Sequence, residues 1–288
     1  MLYNSALEWR DAPEKRILLF GMSGLGKTHV SDMLRATGKW FHYSVDYRIG
    51  TRYMGEAISD NLKREAMKSP LLRELLMTDS VRIRSNITFG NLAPLSAYLG
   101  KPGDPGKGGV PWEEYMRRQR LHRDAERDAM LDTGHFAARA AEIYGYPHFV
   151  CDTSGSICEI VSPEDPDDPI LRALGNQVLM VWIEGSDHHA EELARRFDKA
   201  PKPMCFADEF LAEVWDAYLA ESGDTPGTVD PDAFVRWAYA RALAHRQPRY
   251  RAMADNWGVT VSADAIAAVE TEDDMTDLIA EALGQSEA

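Results

Sequence analysis

No stretch of this sequence stays apolar for long. The longest run is the six residues Val178–Ile183, far short of the roughly 18 that a bilayer-spanning helix needs. The opening residues, MLYNSALEWRDAPEKR, hold no apolar signal-peptide core. The expectation is a cytoplasmic protein without membrane contact. Cysteine is scarce: Cys151, Cys158 and Cys205 form no CxxC pair and no ligand-like grouping with histidine along the chain. That excludes a disulfide scaffold and reads as buried or free thiols in a reducing compartment. Positive charge is also in deficit, with 32 Lys and Arg against 46 Asp and Glu and a net charge of −14. A general nucleic-acid binder would show the opposite balance.

What is present is ordinary for a globular chain: 44% hydrophobic and 27% charged residues over 288 positions. This is enough for one large α/β domain or for a core with a substantial insertion. Five short apolar segments rich in β-formers punctuate an otherwise helical pattern: Arg16–Phe20, Trp40–Val45, His148–Cys151, Val178–Ile183 and Gly258–Val261. Strands alternating with helices imply right-handed crossovers and a parallel five-stranded sheet with helices on both faces. Ligands in such a sheet bind outside the carboxyl ends of the strands, which points to the residues just after Phe20, Val45, Cys151 and Ile183. About a hundred residues separate Val45 from His148, where a crossover needs only about a dozen. The reading is a core of 1–50 and 147–288 with a mainly helical insertion at 51–146. The insertion contains one flexible Gly/Pro-rich loop, Lys101–Gly109. A smaller insertion is expected at about Phe206–Asp232.

The segment GMSGLGKT, Gly21 to Thr28, has the spacing G-x-x-x-x-G-K-[ST], with an apolar strand before it and a helical stretch after it. Its glycines let consecutive N–H groups turn into one concavity, and the helix that follows adds the partial positive charge of its N-terminus. Gly21, Ser23, Gly24, Leu25, Gly26, Lys27, Thr28 and His29 are therefore the candidate phosphate-binding residues. In this reading Lys27 reaches the β- and γ-phosphates and the Thr28 hydroxyl ligates Mg²⁺. No guanine-specifying N-K-x-D motif is present, so ATP is the expected nucleotide. The fold class that results is an α/β P-loop NTPase.

Three further sites narrow the class. Ser44-Val-Asp46 follows the second strand, Asp152-Thr-Ser-Gly155-Ser156 follows the third, and Arg246-Gln-Pro248-Arg-Tyr250-Arg-Ala-Met-Ala254-Asp255 precedes the last. This set resembles shikimate kinase and its relatives among small-molecule kinases. Those enzymes carry D-x-D, G-G-G and R-x-P-x-Y-x-x-x-A-D at the corresponding places. The resemblance covers about 180 residues of core, and the last motif matches at six fixed positions. It implies that Asp46 orients the acceptor hydroxyl and assists its deprotonation, that Ser154, Gly155 and Ser156 line the acceptor site, and that Arg246 pairs with an anionic group of the acceptor. It also implies a lid at about 195–205 in which Lys202 stands where the family has an arginine that folds over ATP. The departures are Ser44 in place of the first aspartate and serines in place of two triplet glycines. Lys202 brings charge without a bidentate fork. A family F-R-x-x-E has only a rough echo in Leu62-Lys-Arg64-Glu65. Because the insertion falls where shikimate kinase has its acceptor-binding helices, shikimate is not the expected substrate.

Other clusters have plainer readings. Asp152 takes the strand-end place of an acid that supports Mg²⁺ in the outer shell. Arg48 and Arg52 follow Asp46 at helical spacing, which suits either a second anion site or surface ion pairs. The five arginines of Trp112–Arg127 sit among acids at i,i+4, including Glu113–Arg117, Glu114–Arg118 and Arg120–Asp124, and read as a salt-bridged, solvated helix face. His188-His189 lacks a third ligand at a suitable spacing, and Glu164–Asp168 reads as a turn-rich loop. Together these imply a kinase that transfers the γ-phosphate of Mg²⁺-ATP to a hydroxyl of a small anionic acceptor. The rival is an ATPase or nucleotide-dependent switch whose insertion binds a protein partner.

Overall fold

The structure, a computed structural model, describes residues 2–286. Its five strands are β1 (Arg16–Phe20), β2 (Trp40–Ser44), β3 (His148–Asp152), β4 (Leu179–Glu184) and β5 (Gly258–Ser262). All pair in parallel, in the order β2-β3-β1-β4-β5. Each expected strand is found, with its ends shifted by a residue or so. β1 lies at the centre of this order, paired with β3 on one edge and β4 on the other.

Successive strand residues face opposite sides of a sheet, yet Ile17, Leu18, Leu19 and Phe20 are all fully buried. Both faces of the central strand are therefore covered, as a parallel sheet requires. Each such side chain contributes up to about 1.5–3 kcal/mol through burial. The helix Lys27–Ala36 packs against β2 and β3, Thr133–Tyr144 against the same two strands, Pro169–Gly175 against β4, and Glu272–Ser286 against β5. None of the described helices is long and apolar enough to cross a membrane.

The chain forms two compact units. The first contains the whole sheet and consists of the residues up to Val45, Arg127–Pro201 and the residues from Arg236 on. The helix Thr133–Tyr144 belongs to this unit, and Phe136 stacks on Tyr43 of β2 at 5.0 Å between ring centroids.

The second unit is Asp46–Glu126 with Lys202–Val235. It is built from helices that include Gly55–Ala66, Pro70–Met77, Ala93–Leu99 and Asp208–Ser222. Trp112 stacks on Trp215 at 4.4 Å, and Trp215 meets Phe234 edge-on. The Gly/Pro-rich segment 101–109 is tied down here: Asp104 N–H donates to Val229 O at 2.8 Å, and a single 3-10 turn forms at Pro105–Lys107.

The arginines of the helix Trp112–Leu131 do more than coat a solvated face. Arg117 and Arg118 both bind Glu114, as the i,i+3 and i,i+4 spacing allows. Arg118 is largely buried and also donates to Tyr98 O, while Arg120 and Arg123 both reach Asp208. The solvated, salt-bridged reading thus holds for Arg117, Arg120 and Arg127, which are exposed, while Arg118 and Arg123 are largely buried and bind other segments of the second unit.

Candidate functional site

Lys27–Ala36 starts at the carboxyl end of the central strand, after the loop Gly21–Gly26. Gly26 caps it with φ of 99°, a left-handed conformation that strains any residue with a Cβ. No acidic residue occupies the first turn, so nothing there opposes an anion at the helix N-terminus. Lys27 is buried, and its ammonium donates to Gly21 O at 2.8 Å and Met22 O at 3.0 Å. Ser23, Gly24, Thr28 and His29 are exposed, while Leu25 is buried.

Sheet register accounts for the next contact. Asp152, the last residue of β3, is level with Leu19 of β1 on one side and Ser44 of β2 on the other. It is thereby set beside the phosphate loop, and the Thr28 hydroxyl donates to Asp152 Oδ2 at 2.7 Å. Behind it, His42 of β2 is buried, with Nε2 3.8 Å from Asp152 Oδ2 and Nδ1 3.7 Å from Asp32 Oδ1. Sequence reasoning passed over His42, whose only signal was an inward-facing polar residue on β2.

The loop after β3 is bound at both ends. Thr153 Oγ1 donates to Leu19 O at 2.9 Å, and the Ser154 and Ser156 hydroxyls lie 2.9 Å apart, both buried. A Cβ on Gly155 would approach Ser23 N to 3.2 Å, so a side chain there fits only if the phosphate loop gives by a few tenths of an ångström.

The motif in the helix Pro231–Trp257 closes over the same loop. Arg246 Nε donates to Glu159 Oε1 at 2.7 Å and Nη1 to Gly155 O at 3.0 Å. The Tyr250 hydroxyl donates to the same carbonyl, and Arg249 donates to Cys158 O and Val161 O, each at 2.8 Å. Burial works against the Arg246 charge, but Glu159 and the neighbouring Tyr250 and Cys158 outweigh it and raise the pKa. Arg246 is thus a fixed cation inside the first unit, engaged with a carboxylate of its own chain. Glu159 carried no signal in the sequence, because it lies 87 positions from its partner. Burial pushes the Cys158 thiol up to about 12, which leaves it inert near neutral pH.

The remaining candidates belong to the second unit. Asp46, half-buried, lies in the short helix Val45–Arg48 directly after β2, and a π-helical turn, Ile49–Tyr53, follows. Such turns are frequent at functional positions. The Arg48 guanidinium lies over the Tyr53 ring at 5.5 Å. Lys202 is exposed in a segment without regular structure. In the first unit, Arg195 and Arg196 both pair with Glu192 on their own helix.

No protein-family model matches the sequence, and no curated protein matches it. Among solved structures the chain is similar to one described as shikimate kinase from Bacteroides thetaiotaomicron. The identity is 14% and the TM-score 0.39, with 95% of this chain and 99% of that chain covered. A likeness this loose carries no argument about substrate or mechanism. The α/β P-loop architecture rests on the parallel strand order and on the glycine loop at the end of the central strand.

Proposed function

We propose that the protein is an ATP-dependent phosphotransferase acting on a hydroxyl of a small anionic acceptor. The observation that carries this reading is the 2.7 Å hydrogen bond from Thr28 to Asp152 beside the glycine loop and Lys27. A hydroxyl and a carboxylate are hard oxygen donors of the kind Mg²⁺ prefers. The loop's N–H groups and the Lys27 ammonium suit a triphosphate. When bound, Mg²⁺-ATP supplies the transferable phosphoryl group.

The chain's own residues then have distinct tasks. Lys27, which donates to the Gly21 and Met22 carbonyls, would hold phosphate oxygens and neutralise charge there. Thr28 points its hydroxyl oxygen into the site, and Asp152 holds that hydroxyl in place. Asp46 orients the acceptor hydroxyl and accepts its proton. Ser154 and Ser156 offer hydroxyls around Gly155, and Arg48 and Lys202 contribute positive charge. Arg246 acts as a positioning residue for the 155–159 loop, because an acceptor anion at its guanidinium has to compete with Glu159.

That competition favours a second reading, in which water is the acceptor and the protein is an ATPase working with a protein partner of the helical second unit. Phosphorus NMR of the protein with Mg²⁺-ATP and a fractionated metabolite extract separates the two. A new phosphoester resonance that is absent with Lys27→Ala supports the kinase. Inorganic phosphate alone, released at one rate with or without extract, supports the ATPase. No turnover of any kind refutes both.

A further inference from the structure

The second unit contains a group of side chains that the phosphotransfer chemistry does not use. His122 and Glu126 stand one turn apart on the helix Trp112–Leu131, so both project from one face. The segment Met204–Phe206 is clamped onto that helix at both ends. Gln119 donates its amide to Met204 O at 2.9 Å and accepts the Phe206 N–H at 2.9 Å, and Arg123 donates to Phe206 O at 2.6 Å. Cys205, between the clamped residues, is brought to the histidine and the glutamate.

Each of His122, Glu126 and Cys205 offers one ligand atom, and these atoms all lie within 4.8 Å of one another, with all three residues buried. His122 Nδ1 makes no hydrogen bond among the described residues and is 3.8 Å from Glu126 Oε2, too far for one. A core imidazole left in that condition costs about 1–3 kcal/mol. A cation between the three groups would remove the cost. The sequence hid this arrangement, because 79 positions separate Glu126 from Cys205. The first reading, that no cysteine groups with a histidine, is corrected here.

We propose that His122, Glu126 and Cys205 bind one borderline-soft divalent ion of the Zn²⁺ class, which fastens the 204–206 segment to the helix. One thiolate, one imidazole and one carboxylate form a donor set that selects such an ion over Mg²⁺ or Ca²⁺. A tetrahedral ion with bonds of about 2.0–2.3 Å holds its ligand atoms about 3.3–3.8 Å apart, and the 3.8 Å from His122 Nδ1 to Glu126 Oε2 already falls in that range. The Cys205 thiol gives up its proton to the medium as its sulfur binds. With three protein ligands, the fourth position falls to water.

The test uses the full chain, without a histidine tag and without nucleotide. Metal is stripped by a chelator, and Co²⁺ is titrated in while the near-ultraviolet and visible spectra are followed. One equivalent should bind, giving a thiolate-to-cobalt band and intense tetrahedral d–d bands. Cys205→Ser should abolish the first, while Cys158→Ser leaves it in place. Should Cys205→Ser fail to fold, zinc-edge X-ray absorption of the wild type decides. One sulfur at about 2.3 Å with nitrogen and oxygen at about 2.0 Å supports the site. No stoichiometric cobalt, a spectrum without the thiolate band, or a zinc shell without sulfur overturns it.

Discussion

Replace Arg246 by methionine, and the consequences can be worked from four contacts. The Glu159 side chain is fully buried, and Arg246 Nε is its 2.7 Å partner. His245 Nε2, at 3.4 Å from the other carboxylate oxygen, remains in place after the change. Gly155 O loses Arg246 Nη1 but keeps the Tyr250 hydroxyl. The dominant cost is therefore a buried carboxylate stripped of its guanidinium, about 3–5 kcal/mol. With a urea slope of about 3 kcal/mol per M, the unfolding midpoint of the first unit falls by about 1–1.7 M.

Removing both partners should be far milder. Glu159→Leu with Arg246→Met leaves no charge to desolvate, and well-packed apolar replacements of buried ion pairs are often neutral or stabilising. Urea titrations of the wild type, the two single variants and the double variant, followed by tryptophan fluorescence and far-UV circular dichroism, give the coupling energy directly. The expected order is a strongly destabilised Arg246→Met and a double variant near the wild type. A single variant within about 0.3 M of the wild-type midpoint, at the slope used above, would refute the reasoning. So would a double variant no better than the single.

Gly155→Ala places a Cβ about 3.2 Å from Ser23 N, and the backbone of the phosphate loop must give way. The expectation is a loss of about 1–3 kcal/mol in stability together with weaker nucleotide binding by calorimetry; unchanged affinity would show that the loop does not lean on Gly155. Glu114 supplies a pH prediction: hydrogen bonding to Arg117 outweighs burial and lowers its carboxyl from 4.5 to about 2. Its folded pKa is depressed, so its stabilisation is complete above about pH 4.5 and is lost as the pH falls toward 2. Unfolding of wild type and Glu114→Gln across that window should converge at low pH, and parallel curves would count against the pairing.

The parts of this protein that could be read from sequence were those whose signal is contiguous. RILLF, WFHYS and LMVWI are short, β-rich and closed by turns, and each forms the expected strand. The glycine loop lies within eight residues, and its spacing together with the apolar strand before it and the helical stretch after it placed it at the end of β1. What could not be read depends on partners far apart in the chain. Arg246 lies in a motif that resembles an acceptor-binding one, and its hydrogen bonds to Glu159 and Gly155 left no trace in the sequence. The arginines of Trp112–Leu131 have i,i+4 acids that explain them locally, yet Arg120 and Arg123 are satisfied by Asp208 instead. Local pairing rules rank neighbours along one helix and carry no information about what another segment brings.

The same contacts show what the motif around Pro248 does within the fold. Arg246 and Tyr250 fix Gly155 O, and Arg249 fixes the carbonyls of Cys158 and Val161. Gly155 in turn lies against Ser23 of the phosphate loop, while Asp152, three residues earlier in the same loop-and-strand run, holds Thr28. The helix thus ties down the loop that leans on Ser23, while sheet register places the strand residue that holds Thr28. Packed contacts of this kind resist small displacements. The phosphate loop is contiguous in sequence, but the loop it lies against is tied by a helix that begins about two hundred residues later.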